Sequence, residues 1–284
     1  MKAGMIGLGA MGMGMAKNLA IAGFLTAVYN RNFTKAEQFK TEFGIPAYQT
    51  PAELAAVVDV VLLCVSADQD VLEIINIIAD SIKPGTIVVD MSTVSSKTAI
   101  QATALLNNKQ ADFLDAPVSG GVEGAKNGTL AMMLGGNYQA FEKVQPVLEA
   151  MTSRIIYMGE SGSGQGTKAV NQIMAAGINQ AVTEALAFAE AQGLPMEKVI
   201  DVISGGAAGN WFLEHRGKTM TQGIFKPGFK MALHQKDLKI CRDMATQNGS
   251  RIPLTEKTIA NYEKLIAEGF GDEDISALYR SKRS

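Results

Sequence analysis

The sequence predicts a doubly wound α/β sheet followed by an all-α domain, and three observations carry that expectation. Short apolar runs alternate with amphipathic stretches from residue 1 to about residue 160. A cluster of small residues follows, Gly159-Glu-Ser-Gly-Ser-Gly-Gln-Gly166. Beyond it only helical patterns remain, and 284 residues suit about two domains of ordinary size. The expected boundaries are 1–162 for the α/β domain and 163–284 for the helical one.

The predicted strands are Ala3–Leu8, Leu25–Tyr29, Val57–Val65, Thr86–Asp90, Ala111–Val118, Leu130–Leu134 and Arg154–Met158. Several are Val/Ile/Leu-rich throughout, as parallel strands covered on both faces must be. Between them the apolar spacing predicts helices over Met11–Ala22, Thr34–Phe43, Val71–Ile82, Ser95–Leu106 and Tyr138–Met151. Thr34 and Ser95 are placed to cap two of these helices, and Gly23 to close the first. Thr167–Gln192 then reads as one long alanine-rich helix without proline. Its low charge predicts burial on nearly all sides, partly by a second subunit, so a homodimer or homotetramer is expected. Further helices are expected at Met196–Ser204, Asn210–Gln222, Met231–Gln247 and Leu254–Glu268. The glycine-rich 159–166 stretch reads as a hinge.

Composition excludes several classes of function. Twenty-six basic against 28 acidic residues leave a formal charge of -2, which gives no whole-protein grip on nucleic acid or an anionic membrane. No apolar run approaches the ~20 residues of a membrane span. Two cysteines, Cys64 and Cys241, suit a reducing compartment and, with two histidines, offer no basis for a zinc site. A cytoplasmic protein without a metal is expected.

The first chemical motif is Gly7-Leu8-Gly9-Ala10-Met11-Gly12, a G-x-G-x-x-G directly after a predicted strand and before a predicted helix. In that context Gly7 permits the tight turn, Gly9 leaves room for a pyrophosphate, and Gly12 allows close helix–strand packing. The helix N-terminus then offers free N–H groups to the phosphates. The α/β half is thus of the Rossmann type. Its second strand ends in Asn30-Arg31, where an NAD site usually places an acid on the ribose diol. Asn30 carries no charge to repel a 2′-phosphate, and Arg31 can pair with one. The expected cofactor is therefore NADP(H), with NAD as the alternative. Val65-Ser66 and Thr93 follow later strands, at the carboxyl edge where such sheets bind ligands.

Three more segments extend the pattern: Asp115-Ala-Pro-Val-Ser119-Gly120-Gly121, Gly164-Gln-Gly-Thr-Lys168-Ala-Val-Asn171-Gln and His234-Gln-Lys236-Asp237-Leu. With the glycine loop, in this order and spacing, they resemble the β-hydroxyacid dehydrogenase family over essentially the whole chain. That family includes 3-hydroxyisobutyrate dehydrogenases, tartronate semialdehyde reductases and glyoxylate/succinic semialdehyde reductases. The resemblance implies Lys168 as the catalytic lysine and Asn171 as the residue that orients the substrate. It implies Ser119, Gly120 and Gly121 as the loop that binds the substrate carboxylate, and Lys236 as a lysine on the cofactor side.

The residue chemistry agrees. Ser-Gly-Gly offers N–H donors and a hydroxyl to a carboxylate without steric obstruction. Lys168 and Asn171 are three apart on a helix and share a face. Neither His215 nor His234 has the setting of a His–Asp acid/base pair. The expected activity is hydride transfer between NADP(H) and a small hydroxyacid/aldehyde-acid pair, most simply reduction of glyoxylate or succinic semialdehyde. A 3-hydroxyisobutyrate-type dehydrogenase using NAD(P) is the alternative within enzymes, and a catalytically silent dinucleotide-binding scaffold is the alternative outside them.

Overall fold

A computed structural model describes residues 1–283 and divides the chain into two compact units, Met1–Lys168 and the residues from Ala169 onward. In the first unit the strands are β1 (Ala3–Ile6), β2 (Leu25–Tyr29), β3 (Val60–Leu63), β4 (Ile87–Asp90), β5 (Asp112–Asp115), β6 (Val118–Ser119), β7 (Leu130–Gly136) and β8 (Thr152–Gly159). The helices between them are α1 (Ala10–Ile21), α2 (Phe33–Phe43), α3 (Pro51–Ala55), α4 (Asp68–Ile78), α5 (Ser96–Asn107), α6 (Gly121–Asn127) and α7 (Tyr138–Leu148). The sheet runs β2-β1-β3-β4-β5-β7-β6, with β8 paired to β7.

Strands β1 to β5 are parallel, and alternate residues feed two separate cores. Val60 and Leu62 of β3 point into one core with Met15 and Leu19 of α1, Phe39 of α2 and Val144 of α7. Val61 and Leu63 point into the other with Leu54 of α3, Ile75 of α4 and Ala102 of α5. Burial on both faces is why β3 reads as four consecutive aliphatic residues. Because β2 and β3 flank β1, the chain reverses its winding direction at the carboxyl end of β1. That switch point is where the glycine loop sits.

The sheet is not parallel throughout. Strand β7 runs antiparallel to β5 and β6, and only β7–β8, joined through α7, returns to parallel pairing. Strands β5 and β6 run in one direction on either side of Ala116 and Pro117, and the chain turns back over residues 120–129, fewer than the dozen or more that a parallel crossover needs. Two short helices lie outside the predicted set. Helix α3 rests on a capping box in which Thr50 and Glu53 exchange hydrogen bonds, and α6 follows Gly120. Ser95 caps α5 as expected, whereas α2 is capped by Asn32, whose side chain accepts from the N–H of Thr34. Thr34 is therefore the donor to a cap two residues earlier and not the cap itself.

The second unit contains the residues from 169 onward of α8 (Ser163–Ala191), with α9 (Met196–Ser204), α10 (Trp211–Thr221), α11 (Met231–Asn248), α12 (Pro253–Ala267) and a 3-10 turn at Ile275–Lys282. Its core joins Ala176 and Leu186 of α8 to Phe212, Leu238, Tyr262 and Leu278. Helix α8 is less covered than its composition suggests, since Val170, Met174 and Phe188 stand exposed on this chain. No helix among the described residues is long and apolar enough to cross a membrane.

The 159–166 stretch is not a loose hinge. Helix α8 already begins at Ser163, and its first turn belongs to the first unit. The Ser96 hydroxyl donates to the carbonyl of Gly162, and Thr103 hydrogen-bonds Ser161. A Cβ on Gly164 would meet the carbonyl oxygens of Asp115 and Met133, both of them backbone. Gly164→Ala is therefore expected to lower the unfolding free energy, read by urea titration, by roughly 1–3 kcal/mol. An unchanged unfolding curve would show that this turn is free to move.

Candidate active site

The glycine loop assigns each glycine a different role. Gly7 has φ +101, and a Cβ there would collide with the carbonyl oxygen of Cys64 at the end of β3. A Cβ on Gly12 would collide with the carbonyl oxygen of Gly7. Both are required by the fold itself. Gly9 is not: its φ is negative, and nothing lies within 4 Å of where its Cβ would stand. It is also the N-cap of α1, with no side-chain cap and no acid in the first turn. Open space before uncapped N–H groups fits the pyrophosphate of a dinucleotide.

Several of the other predicted cofactor residues of the first unit are already engaged within the protein. The side chain of Leu8 is buried, and its N–H donates to Oδ1 of Asn30 at 2.8 Å. The Asn30 amide donates in turn to the carbonyl of Asn32 at 2.9 Å. Asn30 thus ties the loop to the end of β2, a positioning role that its sequence context does not announce. Arg31 is exposed, with Nη1 3.1 Å from Oδ1 of Asp70. Ala10 is exposed and Met11 half-buried against the first core. Val65 and Ser66 follow β3, and the N–H of Val65 donates to the Ser92 hydroxyl at 2.9 Å.

Two segments far apart in sequence converge on the start of α8. The carboxylate of Asp115, at the end of β5, accepts from the N–H of Gly162 at 2.8 Å and from that of Gln165 at 2.9 Å. The side chain of Gln165 donates to the carbonyl of Ser92 at 2.8 Å and accepts from the N–H of Val94 at 3.2 Å. Those two contacts bracket Thr93. One turn on, buried Lys168 donates from Nζ to the carbonyl of Val118 at 2.9 Å, immediately before Ser119. Ser119 is half-buried, and Gly120 and Gly121 have φ +132 and +62, conformations that disfavour any side chain. Thr93, Lys168 and the Ser119–Gly121 loop are thereby held in one frame.

A second network lies within the helical unit. The Asn171 amide donates to Oε1 of Gln172 at 2.8 Å, Gln172 donates to Oδ2 of Asp237 at 2.6 Å, and Lys236 pairs with Oδ1 of Asp237 at 2.8 Å. His234 is fully buried, between the hydroxyl of Tyr262 and the carbonyl of Gln172. It supports this network from behind. His215 is exposed and stacks on Trp211.

Comparison with known proteins identifies the family. The family model for the NAD binding domain of 6-phosphogluconate dehydrogenase matches residues 2–159, and that for the NAD-binding of NADP-dependent 3-hydroxyisobutyrate dehydrogenase matches residues 162–281. The 2-hydroxy-3-oxopropionate reductase of Escherichia coli is 36% identical over 284 residues, which span 99% of this chain and 97% of that protein. The chain belongs to the β-hydroxyacid dehydrogenase family. A probable 3-hydroxyisobutyrate dehydrogenase of Mycobacterium bovis is 33% identical, over 98% of this chain and 97% of its own. The solved structure of Mycobacterium tuberculosis 3-hydroxyisobutyrate dehydrogenase with L-serine superposes with a TM-score of 0.92 at 32% identity, covering 100% of this chain and 99% of that one. This member of the family is an oxidoreductase that uses a nicotinamide dinucleotide.

Asp115, Gln165 and Gln172 lie inside the sequence motifs, yet their contacts are visible only in the fold. Asp90 lies outside every motif. It is the register partner of Asp115 on the neighbouring strand and is fully buried, and its Oδ2 has no hydrogen-bond partner. Burial pushes its carboxyl up to about 6 against the hydrogen bonds from Ser92, with the negative charges of Asp115 and Asp68 adding to the rise. Burial pushes Asp115 up as well, opposed by the N–H groups of Gly162 and Gln165.

The different surroundings of the glycines are separable by mutation. Gly9→Ala is expected to leave the thermal midpoint unchanged while weakening dinucleotide binding at least roughly ten-fold, whereas Gly12→Ala lowers the midpoint too. Equal loss of stability in both variants, read by calorimetry and fluorescence titration, would refute that division of roles. The folded-state pKa of Asp90 lies above its unfolded value, so its contribution to stability is lost as pH rises through about 6. Asp90→Asn removes that loss, and its unfolding free energy should gain on wild type by on the order of 2 kcal/mol between pH 4 and pH 8. A difference independent of pH would contradict it.

Proposed function

We propose that this chain is an NADPH-dependent reductase of small aldehyde-acids, glyoxylate or succinic semialdehyde, with Lys168 as the acid/base. The observation that carries this reading is the bond from Lys168 Nζ to the carbonyl of Val118 at 2.9 Å, which sets a buried ammonium beside the Ser119–Gly121 loop. A substrate whose carboxylate is held by that loop has its carbonyl within reach of a proton donor. The match to the E. coli 2-hydroxy-3-oxopropionate reductase, named for an aldehyde-acid, favours reduction of this substrate class.

The nicotinamide dinucleotide supplies the hydride when bound. Gly9 and the first N–H groups of α1 hold its pyrophosphate, with Leu8, Ala10, Met11, Val65, Ser66 and Thr93 around it. Arg31 takes the 2′-phosphate, and Asn30 keeps the loop in place for it. Lys236, braced by Asp237, serves the cofactor. Ser119 and the N–H groups of Gly120 and Gly121 hold the substrate carboxylate. Lys168 gives its proton to the oxygen that becomes the hydroxyl, and recovers it in the reverse reaction. Asn171, one turn further along the helix, orients the substrate oxygens, so the gain comes from orientation and charge placement. The exposed Val170, Met174 and Phe188 of α8 support assembly as a homodimer or homotetramer.

Oxidation of 3-hydroxyisobutyrate or a similar 3-hydroxyacid is the second reading, favoured by the Mycobacterium tuberculosis structure with L-serine, itself a 3-hydroxyacid in form. The test is oxidation of NADPH and of NADH by the purified protein with glyoxylate, succinic semialdehyde and methylmalonate semialdehyde. Turnover with NADPH and the first two substrates is expected, and Lys168→Ala should cut kcat by about 10²–10⁴. Preference for methylmalonate semialdehyde would select the second reading. Undiminished turnover in the variant would overturn the role of Lys168, and tight binding without turnover would leave a silent binding protein.

A further inference from the structure

The pairing of Arg31 gives a role to a residue outside every motif. Asp70 stands in the first turn of α4, and its Oδ1 lies 3.1 Å from Nη1 of Arg31. The Asp70 side chain is 22% exposed against 83% for Arg31, so the carboxylate is the more enclosed partner and the guanidinium the more solvated one. Its neighbour Asp68 acts elsewhere. Oδ1 of Asp68 accepts from the N–H of Ser95 and from the Thr98 hydroxyl, which ties α4 to α5. An acid in a first helical turn gains from the helix dipole, but Asp68 already supplies one there. What sets Asp70 apart is its contact with the cation that follows β2.

We propose that Asp70 is a specificity-determining residue that restrains the preference for the 2′-phosphorylated dinucleotide. The inference rests on the reading of Arg31 as the 2′-phosphate partner. A phosphate dianion arriving at Arg31 has to displace a carboxylate or share the guanidinium with it. In either case a second negative charge remains close by, on the first turn of α4. The unphosphorylated dinucleotide brings no charge to that position and is indifferent to Asp70. Arg31 retains further N–H donors beyond Nη1, so sharing is geometrically open and NADPH binding is weakened, not abolished. The contact is exposed, so its effect is modest and screened by salt.

The experiment is the dissociation constant of NADPH and of NADH, by fluorescence titration on the full chain at low and at physiological ionic strength. The variants are Asp70→Asn, Asp70→Lys and Arg31→Ala, each checked for an unchanged thermal midpoint. Asp70→Asn is expected to tighten NADPH roughly two- to five-fold at low salt and to leave NADH unchanged. Asp70→Lys should tighten NADPH further, and both gains should shrink as salt is raised. If Arg31→Ala weakens NADPH while neither Asp70 variant tightens it, the inference falls and the reading of Arg31 stands. If Arg31→Ala leaves both dinucleotides unaffected, the reading of Arg31 falls, and the inference with it.

Discussion

The carboxylate of Asp115 does the joining on which the first unit depends. It stands at the end of β5, deep in the sheet, and accepts the N–H groups of Gly162 and Gln165 at the opening of α8. A helix N-terminus is a set of unsatisfied donors with a partial positive charge, and a buried carboxylate satisfies both demands at once. The cap comes from another strand and not from the preceding residue, so it fixes the helix to the sheet as well as terminating it. Gly135 and Gly164 make room for it, since a Cβ on either would press on Asp115. Lys168 takes its position from that anchor, about 4.5 Å further along the helix axis than Gln165.

From this anchor outward, the residues of the site fall into two groups. Some meet ligands in the proposed chemistry: Gly9, Thr93, Ser119, Lys168. Others only hold them: Asn30 ties the glycine loop to β2, Gln165 grips both sides of Thr93, and Asp115 grips Gln165. The holding residues satisfy nearly all their polar atoms within the protein, as a preorganised site requires. Asp90 is the exception, and its orphaned oxygen beside Asp115 places a group that titrates near pH 6 against the anchor.

Much of this is legible in the sequence because it rests on local physics. The aliphatic runs of β1 to β4 announce strands covered on both faces, and G-x-G-x-x-G between a strand and a helix announces its ligand. Apolar spacing alone predicts helix α9 at its observed bounds. What cannot be read depends on contacts between distant residues. The antiparallel return of β7 along β5 and β6 follows from the short turn over residues 120–129, whose glycines look like any loop. The 159–166 glycines spell flexibility in sequence, yet Gly162 and Gly164 are there for closeness to Ser96, Asp115 and Met133. Asn30 reads in sequence as the absence of a charge, whereas in the fold its amide is a structural tie.

In the proposed chemistry, the central question is whether Asp115 delivers Lys168 to its place. The direct measurement is the steady-state kinetics of Asp115→Asn with NADPH and its best aldehyde-acid, beside the NADPH dissociation constant and the far-ultraviolet circular dichroism. Asparagine keeps one acceptor and turns an NH2 group towards the second N–H, so one of the two anchoring bonds is lost at a cost of about 1.5–3 kcal/mol. Anchoring by Asp115 predicts native dichroism, NADPH affinity within about two-fold, and a kcat lowered at least roughly ten-fold. Unaltered kcat in a folded variant would contradict it.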